Sequence, residues 1–179
     1  PGQERSRELV AQEEKGGEEL QLAKERRQLL IMHRLGIRTA EELATVLWKA
    51  VEDGDGELMV ECVLAGADVH ALYPVVDGNP GVNATVLHVA ARNNRTALIP
   101  RLVAMGAVVD ARTAWDATPL MTAAHRGSTA AAVQLVAAGA DLWALNQNNQ
   151  TAAELAESYA FDWRIALWLR DIMAWKERG

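Results

Sequence analysis

Four histidines and a single cysteine are the residues of this 179-residue chain most suited to metal or nucleophilic chemistry. Their spacing supports neither. Cys62 has no second cysteine to pair with, and no C-x-x-C or H-E-x-x-H occurs, so a zinc site has no ligand set. No G-x-x-x-x-G-K-[ST] or G-x-G-x-x-G follows a strand, so no phosphate-cradling loop is expected. His88 and His125 have no positioned nucleophile or acid beside them, and catalysis is not expected. What remains is non-covalent recognition. Arg92, Asn93, Arg112, His125, Arg126, Gln147 and Asn148 are donors, the arginines capable of charge-assisted contacts. Tyr73, Trp115, Tyr159 and Trp163 are of types that dominate interface energies. Type alone does not single these eleven out; their places in the chain make them the candidate partner-binding residues, and no cofactor is expected.

The elements that must position them are read best from Ala117 to Leu145. Thr118 suits a helix N-cap and Pro119 the first helical position, where no amide partner is needed. Ala123 and Ala124 are small enough to let a neighbouring helix approach. Gly127 and Gly139 can each take a positive φ and end a helix. Leu135 and Val136 fall on the core side of the second helix. One such unit cannot bury its own apolar face, so it predicts neighbours.

The neighbours recur at a fixed period. Thr85, Thr118 and Thr151 are 33 residues apart, as are Gly106 and Gly139, and Ala111 and Ala144. An earlier unit runs from Thr45-Val46-Leu47-Trp48 to Gly66-Ala67-Asp68-Val69. From it to the next unit the spacing is 40, one period plus seven. Met59, Ile99, Ala132 and Ile165 share one helix slot, and Cys62, Leu102, Leu135 and Trp168 another. The shared slot makes Cys62 a small buried core residue rather than a reactive thiol.

Thr118-Pro119-Leu120-Met121, Ala123-Ala124-His125-Arg126-Gly127 and Gly139-Ala140-Asp141-Leu142 together resemble one ankyrin repeat, and Thr85-Val86-Leu87-His88-Val89-Ala90-Ala91 is a second close match. The resemblance covers about residues 43–172. It implies an all-α solenoid of about four helix-turn-helix units (near 43–71, 83–111, 116–144 and 149–175) with short hairpin fingers. The array domain is placed at 39–179, behind a charged N-terminal helical extension or cap at 1–38. It further implies a structural hydrogen-bonding role for His88. Carried over by position, the finger tips and first-helix groove fall at Arg92, Asn93, Arg112, Ala114, Trp115, Ala117, His125, Arg126, Leu145, Gln147, Asn148, Gln150, Ser158 and Tyr159. Asparagine hydroxylation, known in many members, is not supported, because His70, Asp110 and Trp143 hold those positions.

Along the chain, Arg7 to Lys15 reads as a short helix, interrupted by Gly16-Gly17. Glu18 to Arg34 reads as a second helix whose apolar end, Leu29 to Met32, packs on the first repeat or on a partner. Thr39 and Glu42 form a capping box. The segment 72–83 carries the seven extra residues, two prolines and two glycines, and reads as a projecting loop. Pro100 bends or delays the helix around it. Ile165, Trp168, Leu169, Ile172 and Trp175 share one face of the last helix, leaving Trp163 and Leu167 on another. Three N-x-[ST] sequons, at Asn83, Asn94 and Asn149, are read as coincidental.

Half of the residues are apolar, which suits a folded chain. A net charge of −6 argues against a nucleic-acid partner, and no apolar run approaches the ~20 residues of a membrane span. The expected role is a non-catalytic protein-interaction module, its locally basic groove docking an acidic segment of another protein. The alternative is a fixed subunit of a larger assembly, held by the N-terminal arm, the 72–83 loop and the Trp-rich end. A reducing intracellular compartment is expected: the cytoplasm, or an organelle interior if a targeting peptide was removed.

Overall fold

The computed structural model describes residues 2–72, 83–159 and 163–178. Among these there are nine helices and no strand. The first, α1 (Gly2–Leu35), is one continuous helix of 34 residues. The expected interruption at Gly16-Gly17 does not occur. Glycine weakens a helix by about 1 kcal/mol relative to alanine but keeps its amide. Here Glu, Gln, Leu and Lys on both sides are strong helix formers. Of its apolar end, Ile31, Met32 and Leu35 pack on the core, while Leu29 and Leu30 are exposed, along with Leu20 and Leu22. Gly36 ends α1 at φ 68°, and the Ile37 amide closes the turn on Met32 O at 2.9 Å.

Four antiparallel helix pairs follow: α2 (Ala40–Asp53) with α3 (Gly56–Leu64), α4 (Val86–Arg92) with α5 (Ile99–Ala104), α6 (Pro119–Arg126) with α7 (Thr129–Ala137), and α8 (Ala152–Tyr159) with α9 (Arg164–Glu177). The first helices stack in succession, α2 on α4, α4 on α6 and α6 on α8. The α6–α8 seam is the most extensive, and Ala123, Ala124, Ala152, Ala153 and Ala156 are all buried in these two helices. The shared core slots hold as expected: Met59, Cys62, Ile99, Leu102, Ala132, Leu135 and Ile165 are fully buried. Trp168 is only half-buried, although it too packs on the core.

Repeated caps start the helices. Thr85, Thr118 and Thr151 each form a box with the residue three positions on, but the acceptor differs. It is the ring nitrogen of His88, the sulfur of Met121 and the carboxylate of Glu154. The Thr151 amide and hydroxyl both donate to Glu154, and the backbone bond first of all holds that carboxyl below its usual range. In the first unit the box lies earlier, at Thr39 and Glu42. Thr45 therefore stands inside α2, donating its hydroxyl to Glu41 O, and does not cap as its register with Thr85 suggests. Pro100 lies in the first turn of a short α5, so it delays that helix rather than bending it. Residues 73–82, most of the expected loop, lie outside the described residues, and Tyr73 with them.

Caps are also exchanged between units. Arg95 donates through Nε and Nη2 to Glu52 O at the end of α2. Ser128 donates to Arg92 O at the end of α4, while Asn94 accepts the Ala131 amide in the first turn of α7. Each bond answers a backbone group that a helix end leaves unpaired.

The turn between paired helices needs a left-handed residue. Gly54 (φ 85°), Asn94 (φ 53°) and Gly127 (φ 68°) occupy that one slot. A Cβ at Gly127 would meet nothing within 4 Å, so only the backbone conformation resists a side chain there. Gly127→Ala should lower stability by about 1 kcal/mol, and Gly127→Asn should cost less, as Asn94 already does in register. Equal urea midpoints for the two variants would contradict this account.

Candidate functional site

The C-terminal ends of the first helices line up as a row. By register, Glu52, Arg92, His125 and Ser158 occupy one position, and Asp53, Asn93, Arg126 and Tyr159 the next. Two contacts join neighbouring units along it. Arg92 pairs with Glu52, Nη2 to Oε1 at 3.1 Å. The rings of His125 and Tyr159 lie 5.0 Å apart, tilted by 36°, and both side chains are exposed. Asn93 caps α4 and turns its amide back to Val89 O. Arg126 is exposed and has no ion pair among the described residues. The row thus runs from acidic, through a neutralised pair, to cationic and aromatic.

The fingers flank it. Thr113 accepts the Trp115 and Ala117 amides and closes one finger; Asn146 closes the next with Asn148 and Gln150. Their tip residues Asp116 and Asn149 take positive φ, as does Asn83 one period earlier. The fingers are bonded to each other, with the Gln147 amide on Trp115 O at 3.1 Å. Arg112 binds Asp116 O at 2.7 Å and Leu145 O at 2.8 Å. Its guanidinium is thus a strut between fingers. Trp115 is 40% exposed, and Gln147 and Asn148 are exposed beside it. Trp163, 64% exposed, stands at the start of α9.

A family model for ankyrin repeats, in three copies, matches residues 27–146 and 87–162. The chain belongs to the ankyrin-repeat family. No curated protein matches it. Ankyrin repeats are in general non-catalytic modules that bind other proteins.

The remaining chemistry-bearing residues fit that family. Cys62 is fully buried in the last turn of α3, and burial pushes its thiol up to about 11, so it stays protonated and unreactive at neutral pH. Among the described residues no group of three His, Cys, Asp or Glu side chains is placed to hold a metal, and no helix is long and apolar enough to cross a membrane. An open hollow of about 600 Å³ lies over Ala44, Trp48, Ala67 and Leu72, rimmed by Glu41 and Asp68. No motif foretold it. Nor did any foretell Glu52 and Arg95, which matter here by engaging Arg92 and the end of α2.

His88 fulfils the structural role implied by the ankyrin pattern. The Thr85 amide can only donate and Ala117 O can only accept, so Nδ1 accepts from Thr85 at 3.1 Å and Nε2–H donates to Ala117 O at 3.1 Å. The ring is neutral and ties one unit to the next finger. Burial is the main cause that lowers its pKa from 6.5 to about 4. A base whose folded pKa lies below its unfolded one binds more protons when unfolded, so stability is complete above about 6.5 and falls as pH drops toward 4. At ~1.4 kcal/mol per pH unit that window is worth on the order of 3 kcal/mol. The urea midpoint of the wild type should fall between pH 7 and 5, above the range where the carboxylates titrate. His88→Gln, less stable at pH 7, should show a flatter profile over that interval. An equally steep profile in the variant would remove His88 as the cause.

Proposed function

We propose that this ankyrin array docks a short acidic segment of a partner protein across the two fingers closed by Thr113 and Asn146 and the ends of α6 and α8. The exposed His125–Tyr159 pair with Arg126 beside it carries this reading. Glu52 neutralises Arg92, and Arg112 is engaged by two carbonyls, so positive charge is concentrated at one end of the row. A carboxylate would find Arg126 there, and an adjoining apolar side chain would find Trp115 and Tyr159. Toward the other end, the Glu52–Arg92 pair offers a longer acidic ligand no further uncompensated cation.

A second reading has an observation of its own. Leu20, Leu22, Leu29 and Leu30 of α1 are each more than half exposed, as expected if that arm lies along another subunit of a fixed assembly. Neither reading names a compartment.

Selection of displayed peptides on the full chain should enrich Asp or Glu next to an apolar or aromatic residue. In the double variant Trp115→Ala, Arg126→Ala the selected peptide should bind about tenfold or more weaker, in line with hot-spot truncations of 1–2 kcal/mol or more. Helical circular dichroism should not change. Enrichment of basic peptides, or undiminished binding by the double variant, would overturn the groove assignment.

A further inference from the structure

Along the row of first-helix ends, one register position carries four different chemistries. Glu52 supplies a carboxylate, Arg92 a guanidinium, His125 an imidazole and Ser158 a hydroxyl. Of these groups only an imidazole changes its charge between pH 5 and 8. His125 is exposed at the end of α6, so its ring exchanges protons directly with solvent.

The surroundings of that ring are cationic and aromatic. Arg126 follows it on α6. From α4 the residue in register is Arg92, whose guanidinium is paired with Glu52 at 3.1 Å. From α8, Tyr159 lays its ring 5.0 Å from the imidazole. The two carboxylates of α8 are engaged elsewhere, Glu157 with Arg170 at 2.8 Å and Glu154 with the amide and hydroxyl of Thr151. The other helix of the unit, α7, holds no ionisable side chain. Asp116 and Arg112 belong to the finger that precedes α6, roughly 9 Å or more of helix rise from His125 at 1.5 Å per residue. Among the described residues His125 therefore makes no ion pair.

These neighbours set the sense of a coupling. In the empty groove a proton on the ring meets the charge of Arg126 and gains only the aromatic face of Tyr159. A carboxylate held by Arg126 stands beside the same ring, and an opposite charge favours the protonated form. Proton and acidic side chain thus favour each other, by the same factor read from either side. We infer that docking of the acidic segment draws a proton from solvent onto His125, so that the groove holds its ligand more tightly as pH falls from 8 toward 6. The bound state carries more protons than the free one, which fixes the sign. This inference rests on the docking reading above and adds a regulation of that site.

The other groups involved leave the interval clear. Carboxylates of a ligand titrate near 4, below it, and an arginine keeps its charge throughout. His88 is buried and neutral, with its pKa lowered to about 4, so it acts on stability and not on docking. One proton changes affinity by at most about tenfold per pH unit. At an exposed site in salt part of that survives, so binding about three- to tenfold tighter is expected at pH 6.0 than at pH 7.5.

The probe is the acidic peptide selected on the full chain at pH 7.5, with a fluorescent label for anisotropy titrations and helical circular dichroism checked at both pH values. The wild type should show the three- to tenfold gain on going to pH 6.0. His125→Gln should bind equally at the two pH values; each protein is compared with itself, so loss of a direct contact does not enter. Calorimetry of the wild type at pH 6.5 needs no variant: in two buffers of different ionisation enthalpy, the heats should differ by the uptake of roughly half a proton per peptide. Equal or weaker wild-type binding at pH 6.0, a profile in His125→Gln as steep as that of the wild type, or equal heats in the two buffers would each overturn the coupling and leave the docking reading standing. Selection that returns no acidic peptide would overturn both.

Discussion

No helix pair in this chain encloses its own apolar face, and almost everything else in the structure answers that constraint. The first helices are narrow and alanine-rich where they meet, so α6 and α8 approach closely across Ala123, Ala124, Ala153 and Ala156. Close approach brings backbone ends of one unit within reach of side chains of the next. Arg95, Ser128 and Asn94 then satisfy helix termini that belong to a neighbour. His88 does the same for the following finger through Ala117 O. Apolar burial supplies the attraction, which has no direction. The exchanged hydrogen bonds set the register between units.

The same bonds determine what the exposed face can offer. An arginine that struts two fingers, or neutralises a neighbouring glutamate, contributes less charge to an approaching protein than its presence in the sequence suggests. Arg112 and Arg92 are in that position. Arg126 is not, and the exposed aromatic pair lies alongside it. The polarity of the row therefore follows from structural pairing at one end and its absence at the other. Buried hydrogen-bonded groups such as His88 hold shape, while recognition is left to a few side chains at the rim.

Much of the fold was legible because it is periodic. The threonines 33 residues apart, the glycines that follow and the shared core slots all depend on local rules acting in register, and they reappear as caps, left-handed turns and buried side chains. The position of the candidate face was legible for the same reason. Contacts between units were not. Nothing local to Arg95 or Ser128 says that each will cap a helix of the preceding unit. Gly16 and Gly17 read as a terminator, yet α1 runs through them, because the cost of glycine in a helix is outweighed by the residues around it. Thr45 was misleading in the opposite way: its register with Thr85 is real, but a stronger capping box at Thr39 starts the helix earlier. Asn83, Asp116 and Asn149 recur as the left-handed residue of each finger.

The exchanged caps bear on how such an array melts. In a stack held only by apolar contact, a boundary between folded and unfolded units could drift along the chain at modest cost. Here any such domain wall strands polar groups on both of its sides: carbonyls at the ends of α2 and α4, an amide at the start of α7, a ring nitrogen at His88. Walls are consequently expensive at the two junctions that these bonds cross. The array then favours all-or-none behaviour over fraying, and a segment bound at one end can be felt as stiffness at the other.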